Sequence, residues 1–152
     1  MTGVPAVGSD LTTRSAVHDL VVEFYREVIL DDLLGPVFDD AAEVDWAVHI
    51  PKLVDYWCRI LLGEPSPPLR TVPAHRALHA LVAIRSEHCD RWWELWSDAI
   101  DRQWCGPAAE HAKDHAAALM SGLARRVFGF EWAHRDRSAR SAERPSGAVP
   151  SG

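Results

Sequence analysis

The chain has 152 residues, of which 47% are hydrophobic and 25% charged, so it is long enough for one domain with a buried core and too apolar to be disordered throughout. Its net charge is −6 and no basic stripe stands out, which argues against nucleic acid as the main partner. No run of 18 apolar residues is present, so the sequence predicts no membrane-spanning segment.

Residues 1–9 show no periodicity, and we expect them to form a loose leader. A long helix is predicted next and ends at Leu33-Leu34-Gly35-Pro36. Its apolar residues recur with the period of one helical face: Val17, Leu20, Val21, Phe24, Tyr25 and Val28.

A second apolar stripe, from Trp46 to Leu61, predicts another helix with Gly63 as its C-terminal cap. Pro51 lies inside this stripe and suits only the first helical turn, so the helix either begins late, near His49, or bends there. Four prolines in residues 64–73 predict a loop.

A short helical stretch is expected near residues 74–82, followed by a helical face from Cys89 to Trp104. Gly106-Pro107 breaks that helix, and a last one precedes Gly129. No strand-like alternation occurs, so the predicted fold class is all-α, with one domain at 10–132 and a disordered tail at 133–152.

Three cysteines, Cys58, Cys89 and Cys105, form no C-x-x-C pair, so no zinc ribbon is expected. An odd number of cysteines without a signal peptide predicts a cytoplasmic protein.

Histidines, a phenol and many aromatic rings are spaced so that a helical fold could gather them around one buried centre. Tyr25, His49 and His79 are the polar members, and seven tryptophans make the chain rich in large rings. An apolar pocket with a few polar groups suits a flat apolar cofactor with one metal at its centre. The same rings could instead fill a hydrophobic core that binds no cofactor. The ring belt consists of Phe24, Phe38, Trp46, Tyr56, Trp57 and Trp92.

Two other function classes stay open from the residues alone. A non-haem metal enzyme built on a helical bundle with a carboxylate-bridged metal pair would require two Glu-x-x-His motifs, and the sequence contains one, Glu131 to His134. A cofactor-free helical interaction module would expose large apolar residues, whereas here they follow inward stripes. No G-x-S-x-G elbow, phosphate-binding glycine loop or dinucleotide fingerprint is present.

Taken in order, these residues resemble the truncated haemoglobins over about residues 15–128, and the third group of that family most closely. The resemblance rests on Phe24-Tyr25, on the D-x-L-G-P-V-F segment from Asp32 to Phe38, and on three further segments. These are Asp45-Trp46-Ala47-Val48-His49, Tyr56-Trp57 with Leu61-Leu62-Gly63, and Glu87-His88-Cys89-Asp90-Arg91-Trp92.

The resemblance implies a globin-like, two-over-two helical sandwich around a haem b pocket. It implies His79 as the iron ligand, because His79 precedes Trp92 by the family's usual spacing, with His75 as the alternative one turn earlier. Tyr25, His49 and Trp92 are expected to stabilise a distal ligand. The other expected haem contacts are Phe24, Phe38, Leu53, Tyr56, Trp57, Arg70 and Cys89, with Cys89 where phenylalanine is usual.

The function implied by the resemblance is binding of O₂, and of NO, at ferrous haem. A chemical role in oxygen, NO or peroxide turnover is favoured over bulk transport, because a strong set of distal donors slows ligand release. The resemblance leaves open whether the protein is an NO dioxygenase or has peroxidase-like activity. Either role would need an electron donor or reductase as a partner.

Overall fold

A computed structural model of the chain describes residues 8–38 and 44–134. Within them lie five α-helices, α1 (Arg14–Leu30), α2 (Trp46–Leu62), α3 (Thr71–Leu81), α4 (Ser86–Gln103) and α5 (Pro107–Leu123), and a π-helical turn at Ala124–Phe128. The described residues contain no strand, only one isolated bridge between Ser9 and Trp104. The all-α prediction is therefore confirmed for this part of the chain.

Local sequence signals fix the ends of α1 and α2. The Thr13 hydroxyl accepts a hydrogen bond from the backbone N–H of Ala16 and caps α1. Asp45 caps α2 in the same way, through Ala47. Gly63 ends α2 with a φ of 71°, as the sequence predicts. Since α2 begins at Trp46 and runs through Pro51, the proline lies inside the helix and not in its first turn.

The core is formed mainly by α1, α2, α4 and α5. Helix α1 packs against α2 and α4, while α5 packs against both α4 and α2. Phe24, Trp96 and Ile100 are fully or almost fully buried at the centre of this packing. Helix α3 differs, because it packs on the π-helical turn and has no buried residue. Helix α3 therefore lies at the edge of the core, with Val72 and Leu78 only partly buried against a second apolar cluster.

The N-terminal segment is tied to the start of α5. Both carboxylate oxygens of Asp10 accept hydrogen bonds from backbone N–H groups of α5, those of Ala108 and Ala109. The carbonyl of Ser9 accepts one from the N–H of Cys105. The predicted leader at 1–9 thus includes at least two residues, Gly8 and Ser9, that contact the domain. Residues 1–7 lie outside the described part.

At the other end, the chain leaves the π-helical turn at Gly129, whose φ is 85°. Trp132 donates its indole N–H to Asp90 on α4, and the His134 ring stacks on Trp93 at 4.3 Å between centroids. Ala133 and His134 fall within the predicted tail, and residues 135–152 lie outside the described part. None of the described helices combines the length and the apolar character needed to cross a bilayer.

Candidate functional site

Tyr25 is the centre of a group of aromatic rings where α1 meets the start of α2. Its ring centroid lies 4.8 Å from that of Phe24 and 5.1 Å from that of Trp46. Phe38 and His49 follow, each at 6.0 Å. Four of these five residues are expected site residues, so the structure brings Phe24, Tyr25, Phe38 and His49 together.

The Tyr25 hydroxyl stays protonated in this environment. Burial raises its pKa well above the ordinary value of 10, because the phenolate would lose its hydration. The hydroxyl makes no hydrogen bond to any residue in the described part of the chain, although the ring keeps some accessible surface. A buried phenol without a protein partner has an O–H available for a bound molecule.

Two histidines, His49 on α2 and His75 on α3, lie near enough to each other to interact. The pKa of His49 is lowered by burial first, then by the charge of Lys52 and by His75. Burial also lowers the pKa of His75, against the opposing hydrogen bond to Thr71. Both rings are therefore neutral near pH 7, and each can offer a lone pair or an N–H to a group between the helices.

The two histidines of α3 differ in which ring nitrogen is free. His75 Nδ1 lies 2.6 Å from the carbonyl oxygen of Thr71, and a carbonyl can only accept, so Nδ1 carries the proton. The lone pair of a neutral His75 is then on Nε2. His79 Nδ1 instead accepts the backbone N–H of Ile84 at 3.0 Å, which puts the proton of a neutral His79 on Nε2.

This difference matters for metal binding, because a histidine ligand almost always donates its other ring N–H to a carbonyl or carboxylate. His75 has that arrangement. His79 closes the turn after α3, and its ring lies 5.4 Å from that of Phe128. The sequence prediction prefers His79, whereas the hydrogen bonds favour its stated alternative, His75.

The apolar residues of α3 are only partly covered by the rest of the described chain. The helix has an amphipathic pattern, yet Val72 and Leu78 are only partly buried. A soluble domain gains by covering such a face, at about 25 cal/mol per Å² of apolar surface. This partly covered face, the free Nε2 of His75 and the ring group around Tyr25 together fit a planar macrocycle with a central metal.

Trp92 connects this group to the centre of the core. It is partly buried and lies 5.7 Å from Phe24 in an edge-to-face arrangement. Its indole N–H donates to no described residue, in contrast to Trp93 and Trp96, which donate to the carbonyls of Lys113 and Ala112. Trp92 therefore keeps a free donor, as expected of a residue that contacts a ligand.

Five other expected haem contacts have different surroundings. Tyr56 and Trp57 contact α4 and α5: the Tyr56 hydroxyl lies 2.6 Å from His115 Nε2, and Trp57 stacks on Trp96. Arg70 is exposed just before α3 and donates no capping hydrogen bond. Cys89 is buried with Val37, Ile84 and Met120, and burial raises its thiol pKa to about 12. Leu53, one turn after His49, is partly buried against the main core.

Several residues that support the site were not expected from the sequence. Asp31, just after α1, accepts a 2.7 Å hydrogen bond from Arg91 on α4. Phe128 of the π-helical turn lies beside both histidines of α3. His88 caps α4 by accepting the Arg85 N–H at Nδ1. Of these, only His88 lies in a segment that carries the family resemblance, residues 87–92, and the sequence predicted no capping role for it.

Nothing in the described residues supports a metal site built from side chains alone. No three His, Cys, Asp or Glu side chains in that part of the chain come together as a possible metal cluster. His134, the histidine of the Glu-x-x-His motif, stacks on Trp93. A surface depression of about 750 Å³ between α4 and the Glu131–His134 segment contains none of the predicted site residues.

Comparison with known proteins identifies the family. The sequence model of the family described as "Bacterial-like globin" matches residues 7–128, which is most of the chain. This chain belongs to that family. The group 3 truncated hemoglobin ctb of Campylobacter jejuni is 25% identical to this globin over 91 residues, which are 58% of this chain and 69% of that protein.

Among solved structures, the group III truncated hemoglobin from Campylobacter jejuni superposes with a TM-score of 0.70. The match covers 83% of this globin and 99% of that chain at 19% sequence identity, so it establishes the fold. The predicted truncated-globin fold is confirmed. Membership of the family implies a haem cofactor and a diatomic gas as ligand.

Proposed function

We propose that this globin binds haem b between α2 and α3 and takes up O₂ or NO in the pocket beside Tyr25. The observation that carries the proposal is the interaction between His49 on α2 and His75 on α3, with a protonated Tyr25 hydroxyl, unpartnered among the described residues, on the ring beside His49. When bound, haem would supply an iron able to bind a histidine nitrogen of the protein and a diatomic molecule.

His75 is the proposed axial ligand. Its Nδ1–H is held by the Thr71 carbonyl, which fixes the tautomer and the ring orientation and leaves the Nε2 lone pair free. This assignment replaces His79, which the sequence favours. His79 then stabilises the turn before α4 through its hydrogen bond from Ile84.

Tyr25, His49 and Trp92 are the proposed distal residues. Tyr25 donates its O–H to the far atom of the diatomic ligand, and its raised pKa keeps that proton in place. The ring contacts with Phe24 and Trp46 hold the phenol in place. The free indole N–H of Trp92 and a neutral His49 are the further donors. Phe38 and Leu53 would contact the macrocycle as apolar walls.

The role favoured by this donor set is chemistry on O₂, NO or peroxide in preference to bulk oxygen transport. Several donors in one dry site slow ligand release, and each contributes about 1–3 kcal/mol. Turnover of NO or peroxide would require a separate reductant to return the iron to its ferrous state. The cytoplasm is the proposed location, as the sequence predicts.

Absorption spectroscopy tests the proposal directly. Haem is titrated into the purified protein, and spectra are recorded in the ferric state, after dithionite reduction and after addition of CO. We expect a saturable Soret band that shifts on CO binding. If the added haem keeps the absorption spectrum of free haem and the titration shows no saturation, the proposed function is ruled out.

A further inference from the structure

A chain of four aromatic residues leads from the proposed haem pocket to the surface. Trp92 stacks on Trp96 with centroids 6.2 Å apart and planes inclined by 8°. Trp96 stacks on Trp57 at 4.6 Å and 28°. Tyr56, next to Trp57, meets it edge to face at 5.5 Å. We call Trp92, Trp96, Trp57 and Tyr56 the aromatic chain.

The outer end of the aromatic chain has a proton acceptor. The Tyr56 hydroxyl lies 2.6 Å from His115 Nε2, a short hydrogen bond. His115 in turn lies 6.3 Å from the exposed His111, ring centroid to ring centroid. A phenol that loses an electron becomes strongly acidic and must lose its proton at once. His115 can take that proton and pass it towards solvent.

The inner members of the aromatic chain are protected from water, while its end is accessible. Trp96 is 1% exposed and Trp57 is 5% exposed, whereas Tyr56, His115 and His111 keep accessible surface. Indole and phenol are the side chains most easily oxidised by one electron without a metal. Buried, stacked rings favour electron transfer because their π-systems are close and little solvent must reorganise.

We propose that the aromatic chain carries oxidising equivalents from the haem pocket to Tyr56, so that this globin can oxidise phenolic donors at its surface with hydroperoxide as the oxidant. This inference rests on the proposed function, because hydroperoxide would be reduced in the haem pocket. Donors too large for the pocket would thereby become substrates at Tyr56.

The proposed reaction conserves electrons and protons. Reduction of one hydrogen peroxide to two water molecules takes up two electrons and two protons. Each electron leaves Tyr56 and passes through Trp57, Trp96 and Trp92, while the phenolic proton passes to His115 Nε2 and on to solvent. A phenolic donor then returns one electron and one proton to Tyr56. Two such steps per peroxide yield two donor radicals.

Freeze-quench electron paramagnetic resonance after mixing haem-loaded protein with hydrogen peroxide tests the proposal. The chain has two tyrosines, so Tyr56→Phe leaves only Tyr25. We expect a tyrosyl radical in the wild type and its loss in Tyr56→Phe. Trp57→Phe should also lose it, because phenylalanine is far harder to oxidise but keeps most of the buried volume.

Trp93→Phe is the matched control, since it removes a tryptophan on α4 whose ring contacts His134 and not the aromatic chain. It should keep the tyrosyl radical. Retention of the radical in Tyr56→Phe or in Trp57→Phe would overturn the proposal. So would its absence in a wild type that binds haem and consumes peroxide, a result that leaves the proposed function intact.

A haem-free measurement separates the two proposals further. Azide radicals generated by pulse radiolysis oxidise tryptophan in the protein, and the decay of the indole radical into a phenoxyl radical is followed by absorption. The wild type and Trp93→Phe should show this transfer, and Tyr56→Phe should lose it. Equal transfer in all three variants would contradict the aromatic chain whether or not the protein binds haem.

Discussion

At the scale of single residues, hydrogen-bond direction favours a different histidine from the one that the sequence spacing favours. His75 and His79 are one turn apart on α3, and spacing to Trp92 favours His79. The tautomer argument favours His75, because Thr71 can only accept and Ile84 N–H can only donate. This distinction depends on the hydrogen bonds made at the two ends of α3, and no sequence motif predicts them.

Tyr25 gives the first prediction. Tyr25→Phe removes one O–H donor and keeps the ring packing against Phe24 and Trp46. Loss of one such bond, about 1–3 kcal/mol, should speed O₂ dissociation by roughly ten- to a hundredfold. Stopped-flow displacement of O₂ by CO measures this rate. An unchanged rate would mean that Tyr25 does not touch the ligand.

Some contacts between individual site residues could be predicted from the sequence, and others could not. Tyr25, Phe24, Phe38 and His49 come together as expected: two lie on α1, one on α2, and Phe38 in the segment that joins these packed helices. Trp57 belongs to the apolar stripe of α2, but it and its neighbour Tyr56 lie further along the helix and contact α4 and α5. The position of a residue along α2, more than the face it lies on, determines which other helices it contacts.

At the scale of elements, the bend after α1 depends on one glycine. A Cβ on Gly35 would lie 2.6 Å from the carbonyl oxygen of Ile29, closer than real Cβ contacts allow. The chain must therefore move if any side chain is added. This bend positions Phe38 against Tyr25.

Gly35→Ala should lower the free energy of unfolding by about 1–3 kcal/mol, the usual cost of overpacking. Gly122→Ala is the control, because a Cβ there meets no atom within 4 Å and the residue lies in α5. That change should be neutral or stabilise by up to about 1 kcal/mol. Urea denaturation of both variants decides; equal stabilities would refute the close-contact argument.

The element boundaries were predicted well where a cap or breaker stands in the sequence. Gly63 ends α2 and Gly106-Pro107 precedes α5, as predicted. The predicted loop at 64–73 was too long, because α3 begins at Thr71 and includes Pro73 in its first turn, where a proline is tolerated. Pro51 was harder to place, because its cost inside α2 is outweighed by the packing of the helix against α1 and α5. Tertiary packing overrides local preference there.

At the scale of the whole molecule, two carboxylates join parts of the chain that are distant in sequence. Burial opposes ionisation of Asp10, but the N–H groups of Ala108, Ala109 and Leu11 outweigh it and lower its pKa. Burial likewise opposes ionisation of Asp31, and the Leu34 N–H and Arg91 lower its pKa overall. Neither long-range link has a local signature, so the sequence did not reveal them.

These lowered pKa values predict the acid sensitivity of the fold. A carboxyl whose pKa is lower in the folded state stabilises it above the ordinary pKa of 3.8, and that contribution is lost as pH falls below this value. Asp10→Ala should cost about 1 kcal/mol near neutral pH, as for other lost caps. Its penalty should shrink towards about pH 3.

Denaturation by urea at several pH values measures this penalty. The account requires a protonated Asp10 to be a weaker cap than the carboxylate. It would be contradicted if the difference in stability between Asp10→Ala and wild type stayed constant from neutral to acidic pH. Asp19→Ala, which changes an exposed carboxyl on α1, serves as the control.

The central claim is that His75 holds the iron of a haem between α2 and α3. The most direct test compares His75→Ala and His79→Ala by resonance Raman spectroscopy of the ferrous protein, without and with added imidazole. We predict that His75→Ala loses the iron–histidine stretching band and regains an iron–imidazole band when imidazole is added, while His79→Ala keeps the native band. Loss of the band in His79→Ala with retention in His75→Ala would contradict the claim.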